Sequence, residues 1–242
     1  MLLKRAFGFA NRFRSYKTSL QEGVKTPYGA FFNARNVKLI SVLPLLFFSV
    51  SLAAQKKLSK TISAQHIDVV QVSAAYCFEV NLATHAGDDV LVDVEIEGEY
   101  TKDLELEIKT DGSTLFVEPK FNPSFENPND KLSAHKVVSI LLDISVPTGK
   151  DVAVFGSSVR VFAQGEYQEL RILLSDGSCT LKHVFGEVEV KTQSGAINVS
   201  ATKANIEASS KYGRVDPNPI PKGTSTYQLQ TVTGNILLSK TE

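Results

Sequence analysis

Four glycines constrain this chain more than any other feature. Gly177, Gly195 and Gly213 are spaced by eighteen residues, and Gly234 follows twenty-one later. Five positions before each glycine stand Ile172, Val190, Ala208 and Leu229, and two positions after it stand Cys179, Ile197, Val215 and Ile236. Ser157 anchors a weaker earlier copy with Val152, Val154, Val159 and Val161. A fixed period near 18–20 residues, each unit a strand, a turn and a second strand, describes a coil-type repeat. Stacked coils place like positions about 4.8 Å apart, so each column becomes an apolar ladder. The expected fold is therefore all-β, a parallel β-solenoid of stacked coils with a period of about 18–20 residues. On this reading Ile197 lies in a buried column between Cys179 and Val215, Asn198 points outward, and the turn glycines supply positive φ. An antiparallel sandwich also gives alternation and glycine turns, but it requires no eighteen-residue period.

Alternation at period two runs through the body from Ile67 onward: Val90-Leu91-Val92-Asp93-Val94-Glu95-Ile96-Glu97, Leu104-Glu105-Leu106-Glu107-Ile108 and Val188-Glu189-Val190-Lys191. Helical periodicity is almost missing. Turn signals fall at Asp111-Gly112, Asp176-Gly177, Ser194-Gly195, Tyr212-Gly213 and Thr233-Gly234. Residues 55–242 read as a single β domain. Its first half, 61–120, is less regular, with four strands ending in Thr114-Leu115-Phe116-Val117; 121–135 is a Pro- and Asn-rich loop that Phe121 and Phe125 tie down; 136–242 holds the repeated coils.

The steps Ser194-Gly195-Ala196-Ile197-Asn198 and Thr233-Gly234-Asn235-Ile236 resemble the small-Gly-x-Ile turns of the putative adhesin, head-GIN-type β-strand-repeat family, over about residues 65–240. That family is one of exported bacterial domains of unknown function. The resemblance implies an exported β-repeat protein and carries over no catalytic residue.

The address is read from Val37 to Gln55. A basic start (Arg35, Lys38) precedes an apolar run of about a dozen residues, and small Ala53 and Ala54 follow, as in a secretory signal. Residues 37–54 are thus expected to be a signal peptide, with an uncleaved signal-anchor as the alternative. The run is too short for a comfortable membrane span, so no stable span is expected after cleavage. Its Leu-Ala-Ala-Gln ending resembles Bacteroidetes signals. Residues 1–36 read as an over-extended start, since Val37 suits a bacterial initiation site. The rival reading is an Arg-rich mitochondrial transit peptide. The destination is the periplasm or cell surface, with the mitochondrion as the alternative.

The chain's 26 Lys/Arg and 26 Asp/Glu divide unevenly. Eight basic residues and only Glu22 fall in 1–54, which leaves 18 basic against 25 acidic residues from Gln55 on, a net of −7. An acidic body without a basic stripe argues against nucleic-acid binding.

Candidate chemistry is sparse. Asp88, Asp89, Asp93, Glu95, Glu97, Glu99, Asp103, Glu105, Glu107 and Asp111 face only Lys102 and Lys109 along the chain. Converging, they would suit calcium; alternating with Val92, Val94 and Ile96, they read instead as a solvated strand face. A carboxylate pair could cleave a glycan, yet nothing singles one out. His66, His85, His135 and His183 make no metal motif, and His183 reads as an ordinary strand residue. Cys77 and Cys179 read as buried core residues or as one disulfide. Asn198-Val199-Ser200 fits a glycosylation sequon. Trp is absent, so a sugar-stacking groove would rely on Tyr167, Tyr212 or Tyr227. No catalytic, cofactor-binding or metal residue is assigned. Three readings stand: a non-enzymatic envelope or surface module offering a rigid face to a protein or glycan partner, a glycan-binding or glycan-cleaving β-solenoid, and an organellar protein of the same fold.

Overall fold

A computed structural model describes residues 56–98, 101–125 and 138–241. The signal segment 37–54, the leader 1–36, Glu99, His135 and most of the 121–135 loop lie outside the described residues.

Among the described residues fourteen strands form one sheet: β1 (Lys56–Ser63), β2 (Val69–Ser73), β3 (Cys77–His85), β4 (Asp89–Gly98), β5 (Leu104–Asp111), β6 (Thr114–Phe121), β7 (Val138–Pro147), β8 (Asp151–Gly156), β9 (Arg160–Leu174), β10 (Ser178–Thr192), β11 (Ile197–Ala201), β12 (Asn205–Ser210), β13 (Thr226–Thr231) and β14 (Ile236–Lys240). The sheet folds back on itself into a nearly closed, barrel-like form around a single apolar core. β9 and β10 carry it round the bend. Their first residues pair in one wall (β1, β4, β7, β3, β9, β10, β11, β14), and their last residues pair in the other (β5, β6, β2, β8, β9, β10, β13, β12). At the bend, Gly165 and Gly186 both have φ of 110°, and His183 sits at +50° beside a register shift. His183 is therefore an exposed bulge residue, not a regular strand residue as its spacing suggests. A second shift, between Phe185 and Glu187, adds a residue to β9 and changes its buried phase from Val161, Ala163 and Tyr167 to Leu170, Ile172 and Leu174, so both halves of the strand face the same core.

Alternation builds the core as columns. Across the first wall run Val94, Leu142, Val80, Val161, Cys179, Ile197, Ile236 and Val215. Across the second run Ile108, Val117, Val72, Val154, Ile172, Val190, Leu229 and Ala208. The glycine repeat thus identifies the members of each column correctly but not their order. Ile197 lies between Cys179 and Ile236, while Val215 lies beyond Ile236 at the end of the row, where it is 36% exposed and not buried as expected. The cause is the segment after Val215, where Pro217, Pro219 and Pro221 cannot donate ladder hydrogen bonds. The chain leaves the stack there, is pinned by buried Ile220, and returns one level earlier, so β13 inserts between β10 and β12.

A uniformly parallel solenoid is not what forms, because strand orientation is mixed. β9, β10, β11, β13 and β14 pair in parallel, whereas β1–β4, β4–β7 and β5–β6 are antiparallel. Gly112, with φ of 59°, closes β5 and β6 into a two-residue hairpin. The first half holds six strands where sequence spacing shows four.

The turn glycines serve a different purpose from the one expected. None of Gly177, Gly195, Gly213 and Gly234 has a left-handed φ. A Cβ on Gly177 would lie 2.1 Å from the Val159 carbonyl oxygen, one on Gly195 1.5 Å from that of Gly177, and one on Gly234 2.1 Å from that of Gly195. Backbone stacks directly on backbone, and only hydrogen fits between.

These two kinds of glycine should separate in denaturant melts. Gly195→Ala should destabilise by at least about 1–3 kcal/mol, as overpacking does, while Gly112→Asn, in open space at an Asn-tolerant φ, should stay within about 1 kcal/mol. In the same series Ile197→Ala should cost about 2–5 kcal/mol and outward Asn198→Ala no more than about 0.5 kcal/mol. Equal losses at Ile197 and Asn198 would refute the column register.

Candidate functional site

The outer surface of the first wall is where polar and aromatic side chains converge. Strand pairing sets Asp93, Asp143, Asn81, Phe162 and Thr180 in one outward row across β4, β7, β3, β9 and β10. Ser145, Gln164 and Lys182 stand beside it, and the wall sinks into a groove of about 440 Å³ lined by Asn81, Asp143, Ser145, Phe162, Gln164, Thr180 and Lys182. That volume falls in the range of small-ligand sites. Asn81 Nδ2 donates to Asp143 Oδ1 at 2.7 Å and fixes the carboxylate. Phe162 turns its ring outward, 36% exposed. Asp93 stands directly opposite Asp143 on the antiparallel β4–β7 ladder, a like-charge arrangement that costs stability. One row away, Arg160 binds Glu79 at 3.1 Å and lies 4.8 Å from the Phe78 ring centroid.

The second wall is electrostatically self-satisfied. Glu189 accepts from Lys191 and from Arg171, the latter at 2.8 Å, and Arg171 also pairs with Glu169. The hydrogen bond from Lys191, then that from Arg171, hold the Glu189 carboxyl below its ordinary value. At the wall's edge Lys120 pairs with Glu107 at 2.7 Å.

The acidic run does not converge. Asp93, Glu95 and Glu97 are on β4 of the first wall, while Glu105, Glu107 and Asp111 are on β5 of the second. Lys57 from β1 pairs with Glu95 and Lys120 from β6 with Glu107, partners invisible in local sequence. Among the described residues no three His, Cys, Asp or Glu side chains gather as a metal site. His85 closes the β3–β4 connection, accepting from Gly87 N–H at Nδ1 and donating from Nε2 to the Asp89 carbonyl. Cys77 and Cys179 are buried and unpaired, and burial pushes both thiols up, Cys77 to about 12. Tyr167 and Tyr227 are core residues whose hydroxyls donate to the carbonyls of Gln164 and Val184, so of the three candidate tyrosines only Tyr212 is exposed. Phe121 stacks on Phe125 at 4.4 Å and meets Tyr76 edge-on, which ties down the start of the loop as its aromatics imply. The groove residues Asn81, Asp143, Phe162 and Lys182 went unmarked in sequence. The signal was an aromatic at an outward position of the Val159-Arg160-Val161-Phe162-Ala163 alternation.

No protein-family model matches the chain, and no curated protein matches it in sequence. The fold is shared with a putative cell adhesion protein from Clostridium sporogenes, at 14% identity and a TM-score of 0.55, over 77% of this chain and 100% of that one. A putative adhesin from Bacteroides fragilis aligns over 77% of this chain and 97% of its own at 13% identity, but its TM-score of 0.35 carries no structural argument. The resemblance read from the Gly-x-Ile steps is thus matched by a fold neighbour described as an adhesion protein. The head-GIN family itself is not confirmed. Among the described residues no helix is long and apolar enough to cross a membrane.

Two outcomes follow from the charges. Asp143→Asn, which keeps an acceptor for Asn81 and removes the repulsion from Asp93, should stabilise the protein by about 0.2–1 kcal/mol. Thermal melts should show the gain shrinking as salt is added. Glu189 has a lowered folded-state value, so its contribution is complete above the ordinary value of 4.5 and is lost as pH falls through the lowered one. Glu189→Gln should therefore melt earlier than the parent at neutral pH and match it in acid well below that range.

Proposed function

We propose that the chain is a non-enzymatic, exported envelope or surface module that binds a partner through the outer groove of its first wall. The observation that carries this reading is the groove itself: outward side chains from four adjacent, paired strands form one recess on a rigid surface. Sites built on strands hold their geometry better than sites on loops. The parallel-paired strands β7, β3, β9 and β10 serve as the platform, and the columns behind the groove leave it little freedom to deform. The Clostridium sporogenes fold neighbour, described as a putative cell adhesion protein, supports an adhesin-like role. Export follows from residues 37–54 read as a signal peptide, with periplasm or cell surface as the destination. Glycan cleavage is the second reading, favoured by one feature, the facing pair Asp93 and Asp143. Cross-strand neighbours lie within about 5.5 Å at Cβ, a spacing compatible with a retaining carboxylate pair.

The purified full chain should be retained on intact bacterial or epithelial surfaces while leaving a polysaccharide panel unshortened. Lack of retention on every surface would remove the adhesion reading. Turnover that disappears in Asp93→Asn or Asp143→Asn would establish the enzymatic one instead.

A further inference from the structure

We infer that the groove is a saccharide site that takes a neutral, β-linked pyranose chain; this rests on the adhesion reading and names its ligand class. Four features of the groove fit that class together. Phe162 lines the recess with its side chain outward and 36% exposed, and the apolar face of an equatorially substituted pyranose packs on such a ring. Beside the ring, Asn81 and Asp143 form a fixed amide–carboxylate pair at 2.7 Å. Asn81 Nδ2 donates to Asp143 and, at 3.4 Å, to Glu79 Oε1, which leaves the Asn81 amide oxygen and the second Asp143 oxygen to accept from adjacent sugar hydroxyls.

Geometry repeats these contacts in the right direction. The groove crosses β7, β3, β9 and β10, whose parallel strands step by about 4.8 Å, and a β-linked pyranose chain advances by close to one such step per sugar. Successive rings laid across the strands would meet Ser145 and Asp143, then Asn81, then Phe162, then Thr180 and Lys182.

Charge selects among glycans. Asp143 and Lys182 offset each other within the groove, but Asp93 stands immediately beside it. The body from Gln55 on carries a net −7, a field that repels polyanions. A peptide partner fits less well, because every described edge of the groove is already paired within the sheet and offers no backbone ladder to an added strand.

The test is calorimetric titration of the full chain with β-linked hexasaccharides of glucose, N-acetylglucosamine, mannose and galactose, with oligogalacturonate as the acidic control. At least one neutral hexasaccharide should bind. Phe162→Ala should weaken that binding at least about tenfold, with an unchanged melting temperature as the check on folding. Phe162→Tyr, which keeps the ring, should retain it. Failure of all four neutral ligands, preference for oligogalacturonate, or binding indifferent to Phe162→Ala would overturn the inference. The two readings also separate in the surface assay. Retention that persists in Phe162→Ala and resists competition by the hexasaccharides removes the saccharide site and leaves adhesion standing. Hexasaccharide binding without retention on any surface removes adhesion instead.

Discussion

The closest constraint in this protein is backbone against backbone at the corner where the second wall passes into the first. Carbonyl oxygens of Val159, Gly177 and Gly195 point into the space that the next turn's Cβ would occupy, and a Cβ on Gly213 would likewise lie 1.9 Å from the Gly234 carbonyl oxygen. Hydroxyls at one position, three residues before the glycine, lock the turns together. Gly234 N–H donates to Thr231 Oγ1, which lies 2.8 Å from Thr192 Oγ1, and that hydroxyl reaches the Gly195 carbonyl. Ser210 repeats the arrangement, accepting from Gly213 N–H and donating to the Gly234 carbonyl. These hydroxyls are buried or nearly so, and each is satisfied, as burial of a polar group demands. With the corner fixed to this tolerance, register along both walls has no freedom, and the apolar columns follow from it.

That corner also explains what sequence could and could not convey. An eighteen-residue period reports which residues share a column, since every coil must present the same residue type to the corner, the core and the solvent. It does not report the level at which a coil sits. Val215 and Ala208 occupy the expected columns at unexpected heights because three prolines eject the chain and β13 takes the vacated level. The same limit governs β7, which fills a gap between the earlier strands β4 and β3, and β8, which pairs on one side with the distant β2 and on the other with β9, the strand that follows it. Such insertion depends on tertiary packing, and no local signal encodes it. Asp111-Gly112, by contrast, was an explicit hairpin signal, and the antiparallel β5–β6 pair is its consequence.

The candidate site was illegible for a related reason. Asn81, Asp143, Phe162 and Lys182 come from four strands spread over a hundred residues, and each alone is an ordinary outward residue. Only the pairing of β7 with β3, of β3 with β9 and of β9 with β10 brings them into one recess. The acidic run is the opposite case, read from its alternation as a solvated strand face and not as a convergent site. Contiguous in sequence, it is divided between two walls by the turn before β5, and Lys57 of β1 and Lys120 of the paired strand β6 meet part of its charge. Nearness along a β chain says little about nearness across a sheet.

The two buried tyrosines show how the bend is made compatible with a dry interior. A bulge leaves backbone groups without ladder partners, and at both bends a tyrosine hydroxyl supplies one. Tyr167 donates to the Gln164 carbonyl at 2.9 Å on β9. Tyr227, reaching from β13, donates to the Val184 carbonyl on β10. Burial raises both phenols, Tyr227 to about 12, which keeps the donor proton in place across the physiological range. The residues that looked suited to stack on sugar are thus committed to closing the sheet. A phenylalanine with no polar handle to satisfy is left facing outward in the groove, where a ligand, not the core, can use its ring.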